Sequence, residues 1–263
     1  GHLNASGGTY VAWNWKAGGI ASSNTDGSIT SSVSANTDAG FSIVSYTGTA
    51  NNNETVGHGL GVAPSVVIIK NRSITTNWSV LHTSAGLTGT TLDGSAEYYM
   101  LTLNSTGARG NVSEDNIWNP TSTTFKINNS GAGNQVNGNG NSMIAYCFAE
   151  KQGFSKFGSY TGNGNADGTF VYTGFKPAWV MWKRTDATNH WLMLDNQRDI
   201  DNPVHKFLLA NTSDVEVTNN DQDVDFTSNG FKMRNSNGRN NASGGSYIYM
   251  AFAKNPFVTS TGV

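Results

Sequence analysis

The chain has a single cysteine, Cys147, so no intrachain disulfide can form. It lies in the run MIAYCFA, where it reads as a small buried hydrophobe. One cysteine leaves the redox compartment open. Charged side chains make up only 13%, 16 basic against 18 acidic, for a net charge of −2. That balance lacks the basic footprint of a nucleic-acid binder. No apolar stretch reaches membrane-spanning length, so membrane insertion is not expected. No signal-peptide pattern is read at the start. The opening Gly1-His2 reads as the remnant of a cleaved tag, which would make the chain an excised piece. Helical periodicity is missing nearly everywhere; only Ser84–Leu87 and Gln197–Pro203 suit a short helical turn. Proline is scarce at 5.

Glycine, by contrast, numbers 31, and Asn, Ser and Thr fill the connections, a composition suited to many tight turns between strands. The chain also repeats itself. Gly40–Arg72 and Gly153–Arg184 both carry Tyr-Thr-Gly, a polar turn, a proline and an apolar run ending in lysine. Pro64 matches Pro177, Lys70 matches Lys183 and Trp78 matches Trp191, each pair 113 residues apart. Asn104 matches Asn211, and Phe125 matches Phe231. A repeat of that length is a domain-sized unit, longer than solenoid periods. Residues 4–16, NASGGTYVAWNWK, match the closing segments 139–151 and 241–254, so the chain begins with a closing strand.

Short alternating runs give six or seven strands per unit. In the first unit these are Phe41–Tyr46, Val66–Lys70, Asn77–His82, Ala96–Leu103, Thr123–Ile127 and, after a flexible loop Asn128–Asn141, Ser142–Ala149. In the second they are Phe154–Tyr160, Thr169–Tyr172, Ala178–Lys183, His190–Asp195, Lys206–Ala210, Gly230–Arg234 and Ser246–Ala253. Thr9–Trp15, with Trp13 and Trp15 inward and Asn14 outward, is expected to join Ser28–Ser34 in an extra hairpin. The expected fold is all-β, two tandem antiparallel β-sandwich units of jelly-roll type with an extra N-terminal strand or hairpin. The expected boundaries are 1–38, 39–151 and 152–263. In Ala178–Lys183 both faces are apolar, as in a central strand covered on both sides.

No catalytic signature emerges. The histidines His58, His82, His190 and His205 lack metal-ligand spacing and read as polar groups near strand ends. Ser84 follows His82, but nothing selects a third triad member, and no nucleophile elbow is present. The acids of the second unit, Asp186, Asp195, Asp199, Asp201, Asp221, Asp223 and Asp225, have three readings: a solvated loop, a carboxylate pair for glycoside hydrolysis, or a calcium site. Asp221, Asp223 and Asp225 are the candidate calcium ligands. The tryptophans have two readings. Trp182 and Trp191, with Trp78, Trp118 and Trp179 behind them, either pack the core or offer a platform for a sugar ring. The polar partners of such a platform are Asn77, Asn189, Asp186 and Arg184.

The phrases SANTDAGFSIVSYTG, VGHGLGVAP, IAYCFAEKQGFSKFGSYTGNG, DGTFVYTGFKPAWVMWKR and NGFKMRN resemble a repeated module of tail-fibre or virion-associated structural proteins of tailed bacteriophages, especially marine ones. The similarity runs from Tyr10 to Phe257. It implies lectin-like sandwiches on the virion, in a tail fibre or on the capsid exterior. It brings no catalytic residues. The implied role is non-enzymatic attachment to a host-surface glycan or outer-membrane protein, next to other virion proteins and as a homotrimer. A structural module without a ligand and a polysaccharide-degrading enzyme stand as alternatives.

Overall fold

The computed structural model describes residues 5–84, 89–90, 96–97, 99–111, 119–129 and 133–254. The first half of the chain forms β1 (Ser22–Asn24), β2 (Ser31–Asn36), β3 (Phe41–Thr47), β4 (Glu54–Gly57), β5 (Val66–Asn71), β6 (Trp78–His82), β7 (Gly89–Thr90), β8 (Ala96–Glu97), β9 (Tyr99–Thr102), β10 (Gly110–Asn111), β11 (Thr124–Ile127) and β12 (Ser142–Phe148). The second forms β13 (Ser155–Thr161), β14 (Phe170–Tyr172), β15 (Pro177–Arg184), β16 (Trp191–Asp195), β17 (Lys206–Leu209), β18 (Val217–Thr218), β19 (Val224–Thr227), β20 (Gly230–Met233) and β21 (Ser246–Ala253). The fold is all-β, built of antiparallel sheets packed as sandwiches.

Each half packs one large sheet against a small one, and the first half also carries the two-stranded β7-β8. The large sheets run β1-β2-β3-β12-β5-β6-β9-β10 and β13-β21-β15-β16-β17-β18; the small ones are β11-β4 and β14-β20-β19. The order β3-β12-β5-β6-β9 is the order β13-β21-β15-β16-β17, so the sequence repeat is a repeat of topology. Pairing is nested in both, β3 with β12 and β4 with β11, then β13 with β21 and β14 with β20, as in a jelly roll.

Period-2 alternation builds four layers from these sheets. Along β12, Met143, Ala145 and Cys147 face Val56, Phe125 and Ile127 of the small sheet. Phe148 faces the other way, toward the second half. Along β15, Val180 and Trp182 join Val171, Phe231 and Phe226, while Trp179 and Met181 turn to the first half. The two large sheets therefore meet face to face across a third core of Phe41, Val66, Phe148, Trp179, Met250 and Phe252, among others. This shared layer explains why β15 is apolar on both faces. Hydrogen bonds also tie the halves: the indole Nε1 of Trp191 donates to Thr102 O (2.9 Å), Asn189 N to Thr106 O (2.8 Å) and Arg109 N to Thr185 O (2.9 Å).

The structure departs from expectation at several places. Residues 9–15 form no strand, because the slot a closing strand fills, between the first and third strands of its half, is taken by β12 and by β21. Trp13 and Trp15 nevertheless face inward and cap one edge of the seam, with Asn14 exposed. The added hairpin is β1–β2, extending the sheet beyond β3. Gln197–Pro203 is a run of turns and bends, and among the described residues the short helical turns lie at Gly133–Val136 and Asn220–Gln222. Leu87 and its neighbours 85–88, and Trp118, lie outside the described residues.

Candidate functional site

Both halves contain the same buried clamp. Tyr46 OH donates to Val136 O (2.6 Å), and Tyr160 OH to Asn240 O (2.8 Å). The fully buried Asn137 accepts from Thr49 N (2.8 Å) and donates to Asn51 O (2.8 Å). The fully buried Asn241 accepts from Asn163 N (2.9 Å) and donates to Asn165 O (2.8 Å). Gly48 and Gly162 have no room for a side chain: a Cβ would lie 2.2 Å from Gly138 O and Ala242 O respectively. The clamp thus fixes the loop after the first strand of each half. Asn137 lies in the segment expected to be a flexible loop, and it is one of the best-anchored side chains there.

In the second half the clamped loop, 163–169, carries Asp167. Asn163 Nδ2 donates to Asp167 O (3.1 Å), and Asp167 N to Asn165 Oδ1 (3.0 Å). The loop feeds β14, whose Val171 points into the core while Phe170 and Tyr172 point out, 44% and 65% exposed. Phe170 sits opposite Lys232 on β20, and Lys232 opposite Asp225 on β19. Directly opposed residues share a face, so the outer surface of this sheet presents Phe170, Tyr172, Lys232 and Asp225 together. The Phe170 ring lies near Gly230, whose missing side chain leaves it space. Asp167 Oδ1 pairs with Lys232 Nζ (2.9 Å) and Arg234 Nη1 (3.7 Å), and Arg234 Nε with Asp225 Oδ2 (3.3 Å). The bond from Lys232, reinforced by the Lys232 and Arg234 charges, holds the Asp167 carboxyl below the usual range.

The first half differs at the same positions. By strand register, Thr55 and Gly57 of β4 stand where Phe170 and Tyr172 do. The Asn24 side chain occupies the space above Gly57, and Ile29 bridges Val56 at the strand's outer side. One scaffold is covered there; the other lies open and aromatic.

The sequence-derived platform is rearranged. Trp182 and Trp191 are buried, at 0% and 1% exposure, so neither ring is open to a sugar. Their indole N–H groups bond backbone oxygens of Arg239 (3.2 Å) and Thr102 (2.9 Å). Trp78 is half-buried, stacked on Tyr146 with centroids 6.4 Å apart. Trp78 N and Trp191 N each donate to the matched asparagine of their half, Asn104 and Asn211, both at 2.9 Å. Asn77 bonds Asn104 (3.1 Å). Arg184 pairs with Asp186 (2.8 Å), and Arg184 and Asn189 both donate to Gly238 O (3.5 and 3.0 Å). Arg184, Asp186 and Asn189 thus come together to brace the turn at Gly238, while Asn77 braces Asn104 in the first half.

Trp78 instead lines an apolar cavity of about 390 Å³ at the seam, with Trp13, Trp15, Tyr146, Met181 and Met193. Its lining offers little to a sugar's hydroxyls.

The acidic segment is divided. Asp221 is exposed on the 3-10 turn, Asp223 ends that turn, and Asp225 is tied to Arg234 from within β19. Burial raises the Asp223 pKa, and nearby Asp225, Asp199 and Asp221 add to it against the opposing effect of His205. Among the described residues no group of three or more His, Cys, Asp or Glu side chains converges to hold a metal ion. His82 is buried and takes Ser84 N on Nδ1 (3.0 Å) while its Nε2 faces Tyr249 O (3.1 Å), so it has no lone pair to offer a serine hydroxyl. Burial pushes the Cys147 thiol up to about 12, in keeping with an inert core residue.

Phe170 and Tyr172 escaped the sequence reading. The signal was present in TFVYTG, where two aromatics alternate around a core valine and the matched first-half positions are threonine and glycine.

Fold and surface together define an all-β scaffold on which Phe170 and Tyr172 stand open beside charged groups. Residues 1–256 match a family described as a domain of unknown function, DUF7483, and the chain belongs to that family. The one family unit spans both halves. Comparisons with curated proteins and with solved structures find no match. Among the described residues no helix is long and apolar enough to cross a membrane.

Proposed function

We propose that this protein is a non-enzymatic adhesion module of a phage tail fibre or virion exterior, and that it binds a host-surface glycan on the outer face of β14-β20-β19. The observation that carries this reading is the open pair Phe170 and Tyr172 beside a ladder of charged groups, on strands held by a packed core. Flat rings stack on the apolar faces of sugars, and adjacent charged and amide groups fix orientation. The resemblance to tail-fibre modules supplies the setting, and because fibres are commonly multimers the expected assembly is a homotrimer.

A glycan array on the purified protein, followed by titration of the hits, tests the reading. The expected result is saturable binding that falls about tenfold for each of Phe170→Ala and Tyr172→Ala, about 1.4 kcal/mol apiece. Trp78→Ala leaves it unchanged. Silence across the array, or binding indifferent to both rings, removes the proposal and favours a structural module or a protein receptor. Release of reducing ends from host polysaccharide would place the protein among enzymes instead. Light scattering reads the expected trimer.

A further inference from the structure

The proposed glycan face carries a detail that names the class of sugar. Asp167 is the most exposed member of the ladder, its side chain 78% open, and one of its oxygens faces both Lys232 and Arg234. It reaches them from a loop, whereas Asp225 grips Arg234 from within the sheet. Lys232 stands directly across from Phe170, so their Cβ atoms lie roughly 5 Å apart. A sugar ring laid on Phe170 therefore places a substituent over the site that the Asp167 carboxylate now holds.

Resting on the glycan reading above, we infer that the ligand is an acidic saccharide whose ring carboxylate displaces Asp167 from Lys232 and Arg234. An exposed ion pair contributes little to stability, so displacement is easy. With Asp167 swung away, two cations face one remaining carboxylate, Asp225, which keeps Arg234 aimed. The face then has a net positive charge to match one ligand carboxylate. A carboxylate fixed on a stacked ring loses less freedom on binding than one on a free chain. A neutral sugar keeps the stacking and its hydroxyls' hydrogen bonds, but brings no charge to meet the two cations. The first half lacks both the rings and the opening, and offers no second copy of this arrangement.

The test compares matched probes by calorimetry: galacturonic acid oligomers against galactose oligomers of equal length, and sialyllactose against lactose. The expected result is at least tenfold preference for the acid in one pair, weakening with salt. Asp167→Asn should tighten acid binding severalfold and leave neutral binding unchanged. Lys232→Met and Arg234→Met should erase the preference while keeping the melting temperature. Equal or better binding of the neutral partner in both pairs overturns the acidic assignment and leaves the glycan reading standing. So does weaker acid binding by Asp167→Asn. Failure of all four probes, with the array silent as well, removes both.

Discussion

Asn137 and Asn241 show how one side chain organises a connection. Each satisfies backbone donors and acceptors that its loop buries, a requirement that otherwise costs about 1–3 kcal/mol per orphaned group. Asn241→Ala is expected to destabilise by about 3 kcal/mol, read from the urea midpoint at unchanged slope. Asn241→Asp, which sets a buried carboxylate oxygen against the oxygens of Asn163, Asn165 and Asn235, should cost at least as much at neutral pH. Because Asn241 also holds Asn165, which orients Asp167, both variants should disturb the glycan face as well as the core. Clamps of this kind were hard to read beforehand. Asn and Gly in NGNGN have the composition of a free loop, and composition does not report that an amide will be buried.

At the level of strands, alternation was a good guide wherever a sheet buries one face or both, and β3, β5, β12, β15 and β21 lie within a residue or two of their expected bounds. β19 was missed because Asp223 and Asp225 alternate with Val224 and Phe226, and the acids hid a strand that packs on one side. Thr9–Trp15 misled in the opposite way. It carries the closing-strand motif down to its turn: Ala5 N bonds Tyr10 OH (2.8 Å) as Ala242 N bonds Tyr247 OH (2.9 Å). Propensity was satisfied, but a strand also needs a vacant pair of neighbours. Its tryptophans instead pack on the seam edge, Trp15 against Trp179 and Phe252 at 5.5 and 5.3 Å. Trp15→Ala should cost about 1–3 kcal/mol in thermal melts, less than the about 3–5 kcal/mol of Phe252→Ala at the buried centre. Asn14→Ala should stay within about 0.5 kcal/mol. The same ambiguity affected the site. Trp182 and Trp191 stand out in the sequence, yet large rings on strands apolar on both faces belong to the core.

For the molecule as a whole, the seam decides behaviour. The two large sheets share a buried layer, so calorimetry is expected to show one unfolding transition for the entire chain, with two separate transitions counting against it. The seam also contains His82, bonded to Tyr249 O of the other half. Burial lowers its pKa from 6.5 to about 4. The unfolded chain then binds a proton below about pH 6.5 that the folded chain refuses until about pH 4. Stability is full above that window and declines as pH falls through it. His82→Gln should flatten the slope of melting temperature between pH 6.5 and 4, and a slope equal to wild type would show that other groups set it.

The position of β12 between β3 and β5, and of β21 between β13 and β15, has a consequence for synthesis. The strand that β3 and β13 need as a neighbour leaves the ribosome last in its half. Until then the nascent sheet has a gap at its centre, with unpaired edges on both sides of it. Such sequence-distant pairing makes folding slow, and it places the greatest exposure to misassembly in the interval before the closing strand arrives.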